Sequence, residues 1–586
     1  MTAQAVAAPA LGAAIRTYGT FGYIPGRPTY GGRTPRGHWE LRLEPGVATR
    51  VKRIFGRISV TRTGVLTIAD SPEVARDLQW MQERWPLTPT DDLAMRRLRD
   101  GADKHRATEQ AVARILAPGA RAAKLPMEPA KPPRDYQKVA VELLRTTGRL
   151  LLTDEVGLGK TYSGALNAVH EDALPMLVVP PTHLPGRWLE ELKESFPWLT
   201  TGVAQKTTLP KDWTPEQIPD VFIVPYSRLV GWAPHLYGHV KTVIFDEVQD
   251  LRAGVDTQKG KAAAHVSSGA TYVEGLSATP LYNYGGEIWN IFDILAPGEL
   301  GTRDEFTREW GRAGNNNKII VNDPRALGSY LREQSLMLGR NREEVGLELP
   351  ATIKVAHTVN SDPAALNAVK GDAVAMAKLI LSDTSTRQER MQAAGELDWK
   401  LRQATGIGKA PYVAEFCRMI LESEEKIILA GWHRAVYDLW NDLLADFKPV
   451  MYTGSESPAQ KAASEAAFVE GDSRIMIMSL RSGSGLDGLQ KVCSVSVFGE
   501  LDWSPQVHEQ LIGRTRRDGM GAKPPVAYFL NSVDGSDPAV MEALGIKRMQ
   551  AEPMLSKDGK VFATAMPDSG RGRMLAEQIL GLRGAA

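Results

Sequence analysis

The chain has 586 residues, 43% hydrophobic and 24% charged, which is the composition of a globular protein and excludes a fibrous or wholly disordered one. Lys plus Arg (70) and Asp plus Glu (69) nearly cancel, so the whole chain is no polybasic nucleic-acid coat, and any nucleic-acid contact must come from local patches. The two cysteines, Cys417 and Cys493, exclude a disulfide scaffold or a four-cysteine zinc site and fit a reducing, intracellular setting.

At roughly 100–200 residues per domain, the length predicts about three to five domains. Residues 1–14 read as a small-residue tail with no basic n-region, and no stretch reads as membrane-spanning. Residues 16–64 carry nine Arg, one Lys and two acidic residues, a local net charge of +8. Tyr18, Phe21, Tyr23, Tyr30, Trp39 and Phe55 are interleaved with them. Two readings stand for this stretch: a DNA-binding module in which Arg neutralises phosphate and aromatics stack on bases, or a small β domain whose aromatics form its core. Residues 71–118 turn helical, and Glu128–Pro133 reads as a linker.

From Asp135 onward, apolar runs alternate with helical patterns. Leu150–Thr153, Met176–Val179, Val221–Val224 and Thr242–Phe245 each read as a buried strand, which predicts a parallel sheet in an α/β domain. A second such block spans about 405–535, with strands at Ile427–Ala430, Ile475–Ser479, Val495–Phe498 and Val526–Leu530. Between the blocks, residues 301–400 read as largely helical and polar. The last stretch, 550–586, is rich in Gly and charge and reads as loosely ordered.

The strand Leu150–Thr153 runs into Asp154-Glu-Val-Gly-Leu-Gly-Lys-Thr161 and a helix start. Gly157 and Gly159 let backbone N–H groups curl around phosphate oxygens, Lys160 reaches the β and γ phosphates, and Thr161 is placed for Mg²⁺. The strict phosphate-loop pattern has Gly where Asp154 stands. A second apolar strand, 86 residues beyond Lys160, ends in adjacent carboxylates: Val243-Ile-Phe-Asp-Glu-Val-Gln249. Asp246 can hold Mg²⁺ through water, and Glu247 can orient and deprotonate an attacking water. Later, Gln510-Leu-Ile-Gly-Arg-Thr-Arg-Arg517 offers guanidinium groups from a second domain. Charge spreading over γ-phosphoryl oxygens is stabilised by such groups, which makes hydrolysis depend on domain closure. Arg514 and Arg517 are the candidates; Arg516 is expected on the other face. A solvated basic turn is the plain alternative.

These stretches stand with Arg134-Asp-Tyr-Gln137, Val179-Pro-Pro-Thr-His-Leu-Pro-Gly-Arg-Trp188, Gly275-Leu-Ser-Ala-Thr-Pro280, Leu338-Gly-Arg-Asn-Arg-Glu-Glu-Val345 with Glu348-Leu-Pro350, and Gly483-Ser-Gly-Leu-Asp-Gly-Leu-Gln490. In this order, over about residues 133–548, the chain resembles superfamily 2 helicases, and within them the SNF2-like group of ATP-dependent DNA translocases. The resemblance implies an α/β protein with two RecA-like parallel-sheet motor lobes, 119–300 and 401–548. It further implies an N-terminal α+β accessory domain, 1–118, a helical insertion, 301–400, and a C-terminal extension, 549–586. It implies ATP with Mg²⁺ on Thr161 and Asp246, Gln137 on the adenine, and Gln510 among the nucleotide-binding residues. The stretch 179–188 would touch the DNA backbone near Thr182–Arg187, opposite 482–485 of the second lobe, and Gly275–Pro280 would couple hydrolysis to DNA. The partner implied is double-stranded or branched DNA. The coupling role of Gln249, where His or Asp is commoner, is open.

His235 and His239 lack the Glu of a zinc-protease helix, Leu236 standing in its place, and Trp188, Trp289 and Trp432 read as packing residues. The functional alternatives are a strand-separating DNA or RNA helicase and a non-enzymatic scaffold with a decayed motor. Intact Lys160, Thr161, Asp246, Glu247, Arg514 and Arg517 argue against the scaffold.

Overall fold

A computed structural model describes residues 16–26, 37–277, 285–314, 319–347, 349–480, 486, 488–517, 519–521, 523–544 and 568–582. Two parallel sheets dominate it. The first has seven strands, in the order Met337–Leu338, Arg149–Leu152, Tyr272–Leu276, Thr242–Asp246, Met176–Val179, Val221–Ile223 and Thr201–Val203. The second has six: Ile353–Thr358, Val526–Asn531, Val495–Phe498, Ile427–Gly431, Ile475–Ser479 and Val450–Tyr452. Central strands such as Met176–Val179 and Ile427–Gly431 are buried along their whole length, which is why they appear as unbroken apolar runs. Helices cover both faces of each sheet, the arrangement of RecA-like lobes.

The segment between the blocks carries the helices Arg303–Trp310, Pro324–Glu333, Pro363–Leu381 and Arg387–Ile420. It also supplies the edge strand of each sheet, Met337–Leu338 to the first and Ile353–Thr358 to the second. The connection between the lobes is therefore short and tied to both. Of the stretch read as loosely ordered, Asp568–Ile579 is a helix whose Met574, Leu575 and Ala576 are buried in the second lobe's core. Gly572 meets Ala394 of the long helix so closely that a Cβ there would lie 2.3 Å from its methyl group. Its apolar residues are clustered in one turn, a signal that Gly and charge conceal in the surrounding sequence.

The N-terminal region folds as a four-stranded sheet, Leu66–Ala69, His38–Leu43, Gly19–Ile24 and Thr88–Pro89, under the helices Pro45–Ile54, Pro72–Arg84 and Asp92–Ile115. Of the two readings of its aromatics, the packed one holds: Phe21, Trp39 and Phe55 are buried together, and Trp39 Nε1 donates to Asp70 at 2.9 Å. Tyr30 lies outside the described residues. Arg42, Arg50, Arg53 and Arg62 are exposed, but Arg57 is not. Its guanidinium pairs with Glu309 at 3.0 Å and donates to the Glu299 carbonyl and to Tyr330 Oη, which in turn donates to Glu73. This network seats the N-terminal domain on the segment 299–330. Among the described residues, no helix is long and apolar enough to cross a membrane.

Candidate active site

The phosphate loop, 154–161, leaves the C-terminal end of Arg149–Leu152, and the two carboxylates leave the end of Thr242–Asp246. In open parallel sheets, ligands gather at such carboxyl ends. Gly157 and Gly159 take left-handed backbone angles, φ 93° and 71°, that other residues adopt only under strain. Lys160 begins the following helix, and its ammonium donates to the carbonyls of Asp154 (2.6 Å) and Glu155 (3.3 Å). Burial lowers its pKa, with Asp154, Glu247 and Asp246 opposing that fall.

Asp154, where a strict loop has Gly, is fully buried and accepts a two-pronged pair from Arg340: Nε to Oδ1 at 3.0 Å and Nη2 to Oδ2 at 2.6 Å. Arg340 also lies over the Tyr136 ring and donates to the Tyr136 carbonyl. The carboxylate thus fixes the start of the loop to the connecting segment. Gln137 accepts from the Arg134 N–H at 3.0 Å and donates to the Leu158 carbonyl at 3.4 Å, to which Tyr136 Oη also donates at 2.9 Å.

Burial, and then the neighbouring Glu247, raise the Asp246 carboxyl above its ordinary range, while the indole of Trp188 donates to Asp246 Oδ2 at 2.8 Å and favours the ionised form. Trp188 is a packing residue as expected, and it also orients this carboxylate, a partnership that cannot be seen in sequence across 58 residues. Glu247 has φ 49°, a strained turn for a non-glycine residue of the kind that clusters at functional sites. Its Oε2 accepts from Gln249 Nε2 at 2.5 Å, and Gln249 Oε1 accepts from Ser277 Oγ at 2.6 Å. Gln249 thus links Glu247 to Ser277. Residues 278–280 lie outside the described residues.

The second lobe closes the site. Arg514 and Arg517 each donate Nη1 to the Leu486 carbonyl, at 3.1 and 3.3 Å. Arg516 turns the other way and holds the carbonyls of Leu349 and Pro350. A cavity of about 470 Å³ between the lobes is lined by Gln137, Gly157, Gly159, Lys160, Thr161, Asp246 and Glu247 from one side and Gln510, Arg514 and Arg517 from the other. The structure therefore brings every residue singled out for the nucleotide to one place. Tyr136, Arg187, Trp188 and Gln490 line it too and were not assigned to it from sequence. Arg187, read as a DNA contact, borders the cavity, and Thr182 is exposed and donates to Ser227 at 3.1 Å. Residues 481–485 lie outside the described residues.

Two parallel-sheet lobes with a phosphate loop on one and arginines facing it from the other have the architecture of a helicase motor core. The SNF2-related domain family matches residues 78–405, and the chain belongs to that family. Among curated relatives, the mouse "DNA annealing helicase and endonuclease ZRANB3" is 24% identical over 422 residues, 66% of this chain and 37% of that protein. The "Uncharacterized ATP-dependent helicase YqhH" of Bacillus subtilis is 25% identical over 427 residues, 65% of this chain and 72% of that one. The Xenopus tropicalis "SWI/SNF-related matrix-associated actin-dependent regulator of chromatin subfamily A-like protein 1" is 24% identical, covering 68% of this chain and 43% of that protein. The chain thus spans 37% and 43% of the mouse and frog relatives' lengths. Solved structures that align include the "Sulfolobus solfataricus SWI2/SNF2 ATPase core in complex with dsDNA", 20% identical over 76% of this chain and 96% of that one, with a TM-score of 0.33.

Proposed function

We propose that the protein hydrolyses ATP when bound to DNA and uses the cycle to move along, or remodel, duplex or branched DNA. The observation that carries this reading is the convergence of Lys160, Asp246 and Glu247 with Gln510, Arg514 and Arg517 on one inter-lobe cavity. Lys160 and the loop N–H groups bind the β and γ phosphates, and Gln137 reads the base. Glu247, held by Gln249, orients the attacking water and takes its proton. Arg514 and Arg517 face the γ-phosphoryl charge only when the lobes approach, so hydrolysis follows closure. Thr161 and Asp246 offer one hydroxyl and one carboxylate, a hard oxygen set of the kind that holds Mg²⁺ together with phosphate and water. When bound, Mg²⁺ neutralises charge on the β and γ phosphates.

DNA as the partner is supported by the family and by the relatives' names. Duplex tracking is the finer part of the proposal, and it is favoured over strand separation by the segment 338–350. Steady-state ATPase assays with duplex DNA, single-stranded DNA and RNA in parallel test it, together with displacement of a third strand from a triplex. Stimulation by duplex with triplex displacement is the expected result. Efficient unwinding of a forked duplex without triplex displacement would make it a strand-separating helicase, and no nucleotide turnover on any nucleic acid would make it a scaffold.

A further inference from the structure

The segment between the lobes runs along the back of the phosphate loop before it reaches the second sheet. Leu151 and Thr153 donate their N–H groups to the carbonyls of Leu336 and Leu338, and Glu155 to that of Arg340 at 2.9 Å. The Arg342 N–H returns a bond to Glu155 Oε2 at 3.0 Å. A few residues on, the carbonyls of Leu349 and Pro350 are held by Arg516, and the chain enters the second sheet at Ile353. Arg342 stands at the crossing. It is only 4% exposed. Its Nη1 pairs with Glu155 Oε1 at 3.1 Å, and its Nη2 donates to the Val156 carbonyl of the loop and, at 3.0 Å, to the Arg516 carbonyl of the second lobe.

Arg342 does not line the nucleotide cavity; it backs it. A Cβ placed on Gly157 would lie 2.9 Å from Arg342 Nη2 and 3.5 Å from Arg517 Cγ, so one loop glycine touches both arginines. The carbonyl that Arg342 holds belongs to the residue immediately before Arg517. We infer that Arg342 is a positioning residue for hydrolysis, its planar guanidinium fastening the phosphate loop of the first lobe to the arginine-bearing turn of the second. This rests on the ATPase reading above.

A guanidinium presents its donors in a rigid fork, so one group can hold a carboxylate, a loop carbonyl and a second-lobe carbonyl at fixed angles; an ammonium on a flexible stem cannot. The charges are also unbalanced. Burial and the nearby Arg516 and Arg517 disfavour the Arg342 cation, and Glu155, 3.1 Å from Arg342 and 3.9 Å from Arg516, opposes them. A phosphate at the loop adds negative charge beside this cationic cluster, so nucleotide binding favours the approach of the second lobe through the same residues.

Arg342→Lys tests this in the full-length protein, with ATP affinity from equilibrium titration, single-turnover hydrolysis on saturating linear duplex DNA, and thermal melting. The expected result is an ATP Kd within about threefold of wild type and hydrolysis slowed roughly 10- to 100-fold, the split that misplaced catalytic groups produce. Glu155→Gln, which leaves the carbonyl bonds of Arg342 in place, should act in the same direction and more weakly. The double variant should lose less than the product of the two single losses, because both act on one contact. Wild-type hydrolysis by Arg342→Lys overturns the inference, and so does a slowing matched by equal losses of ATP affinity and melting temperature. A wild-type protein that hydrolyses no ATP on any nucleic acid overturns the ATPase reading instead, and this inference with it.

Discussion

In the first lobe the phosphate loop is held from several sides, Asp154 by Arg340, Glu155 by Arg342 and the Leu158 carbonyl by Tyr136 and Gln137, and Trp188 holds the neighbouring Asp246. In the second lobe Arg514 and Arg517 share one carbonyl, that of Leu486, at 3.1 and 3.3 Å. The first half is a preorganised binding surface. Arg514 and Arg517 are fixed within their own lobe, so their distance from the loop depends on how the lobes meet. Under the proposed reading, ATP binding and the water-activating Glu247 belong to the first half, and stabilisation of transition-state charge belongs to the second. Substitutions in the phosphate loop and at the second-lobe arginines should therefore separate in their kinetics.

The largest effect belongs to the first half. Lys160→Ala removes the cation from the β and γ phosphates, and both ATP binding and turnover should fall to background in titration and ATPase assays. Glu247→Gln should keep ATP bound and lose hydrolysis, since Asp246 remains while the base is gone. Near-normal DNA-stimulated turnover by Glu247→Gln would show that the strained Glu247 turn serves packing and not proton transfer.

Next comes the second half. Arg514→Ala should lower single-turnover hydrolysis by roughly 10³–10⁵-fold, as arginine-finger losses do, with a much smaller change in ATP affinity. If affinity collapses while hydrolysis per bound ATP is retained, the division of labour between the halves is wrong.

A smaller effect probes the rigidity of the first half. Glu274 sits 1% exposed in the strand Tyr272–Leu276, packed on the helix that follows the phosphate loop. Its Oε2 has no hydrogen-bond partner among the described residues. Burial, and then the Asp154 charge, push this carboxyl up to about 8 from an ordinary value of 4.5. The folded state therefore keeps a proton that the unfolded chain gives up. The resulting stability is fully present below pH 4.5 and is lost as pH rises through 8. Glu274→Gln should leave the melting temperature little changed at pH 5 and raise it at pH 8–9 relative to wild type. Parallel melting curves for the two proteins across that range would place the penalty elsewhere.

Glu274 also explains where the sequence falls silent. Strands such as Ile427–Gly431 announce themselves because both faces are buried and every residue is small or apolar. Tyr272–Leu276 is just as buried, yet Glu274 and Gly275 break its apolar run. Met337–Leu338 is two residues long, and Ile353–Thr358 is an edge strand that is mostly exposed, so neither has a periodicity to read. The same distinction governs the site. The loop and the carboxylate pair are contiguous and legible, and each needs only its own strand to be in place. The Asp154–Arg340 pair joins residues 186 apart, and Trp188 reaches Asp246 across 58. Such contacts are products of the fold, and residue types alone do not specify them.

The smallest effect concerns the N-terminal domain, where the arginines divide as the two halves of the site do, into fixed and presented groups. Arg57 is buried in the seam with Glu309 and Tyr330, and its role is to hold the domain on the motor. Arg50 and Arg53 project from the exposed side of the helix Pro45–Ile54, which has basic residues in its last turn and no acidic residue in its first. Phe21, Trp39 and Phe55 of this domain are packed inside and cannot stack on bases, so a DNA contact through the exposed arginines is electrostatic and independent of sequence. Each phosphate neutralised releases condensed counterions, so the affinity for duplex DNA should depend on salt with a slope of about 0.9 per contact. Arg50→Ala combined with Arg53→Ala should therefore make the plot of log affinity against log salt shallower by about 0.9–1.8, with DNA-independent ATP binding unchanged and only a small fall in melting temperature, since Arg50 lies over the Trp85 ring, 5.5 Å from its centroid. Equal slopes for the variant and the wild type would leave the domain a structural mount, held by Arg57 and facing no DNA through this helix.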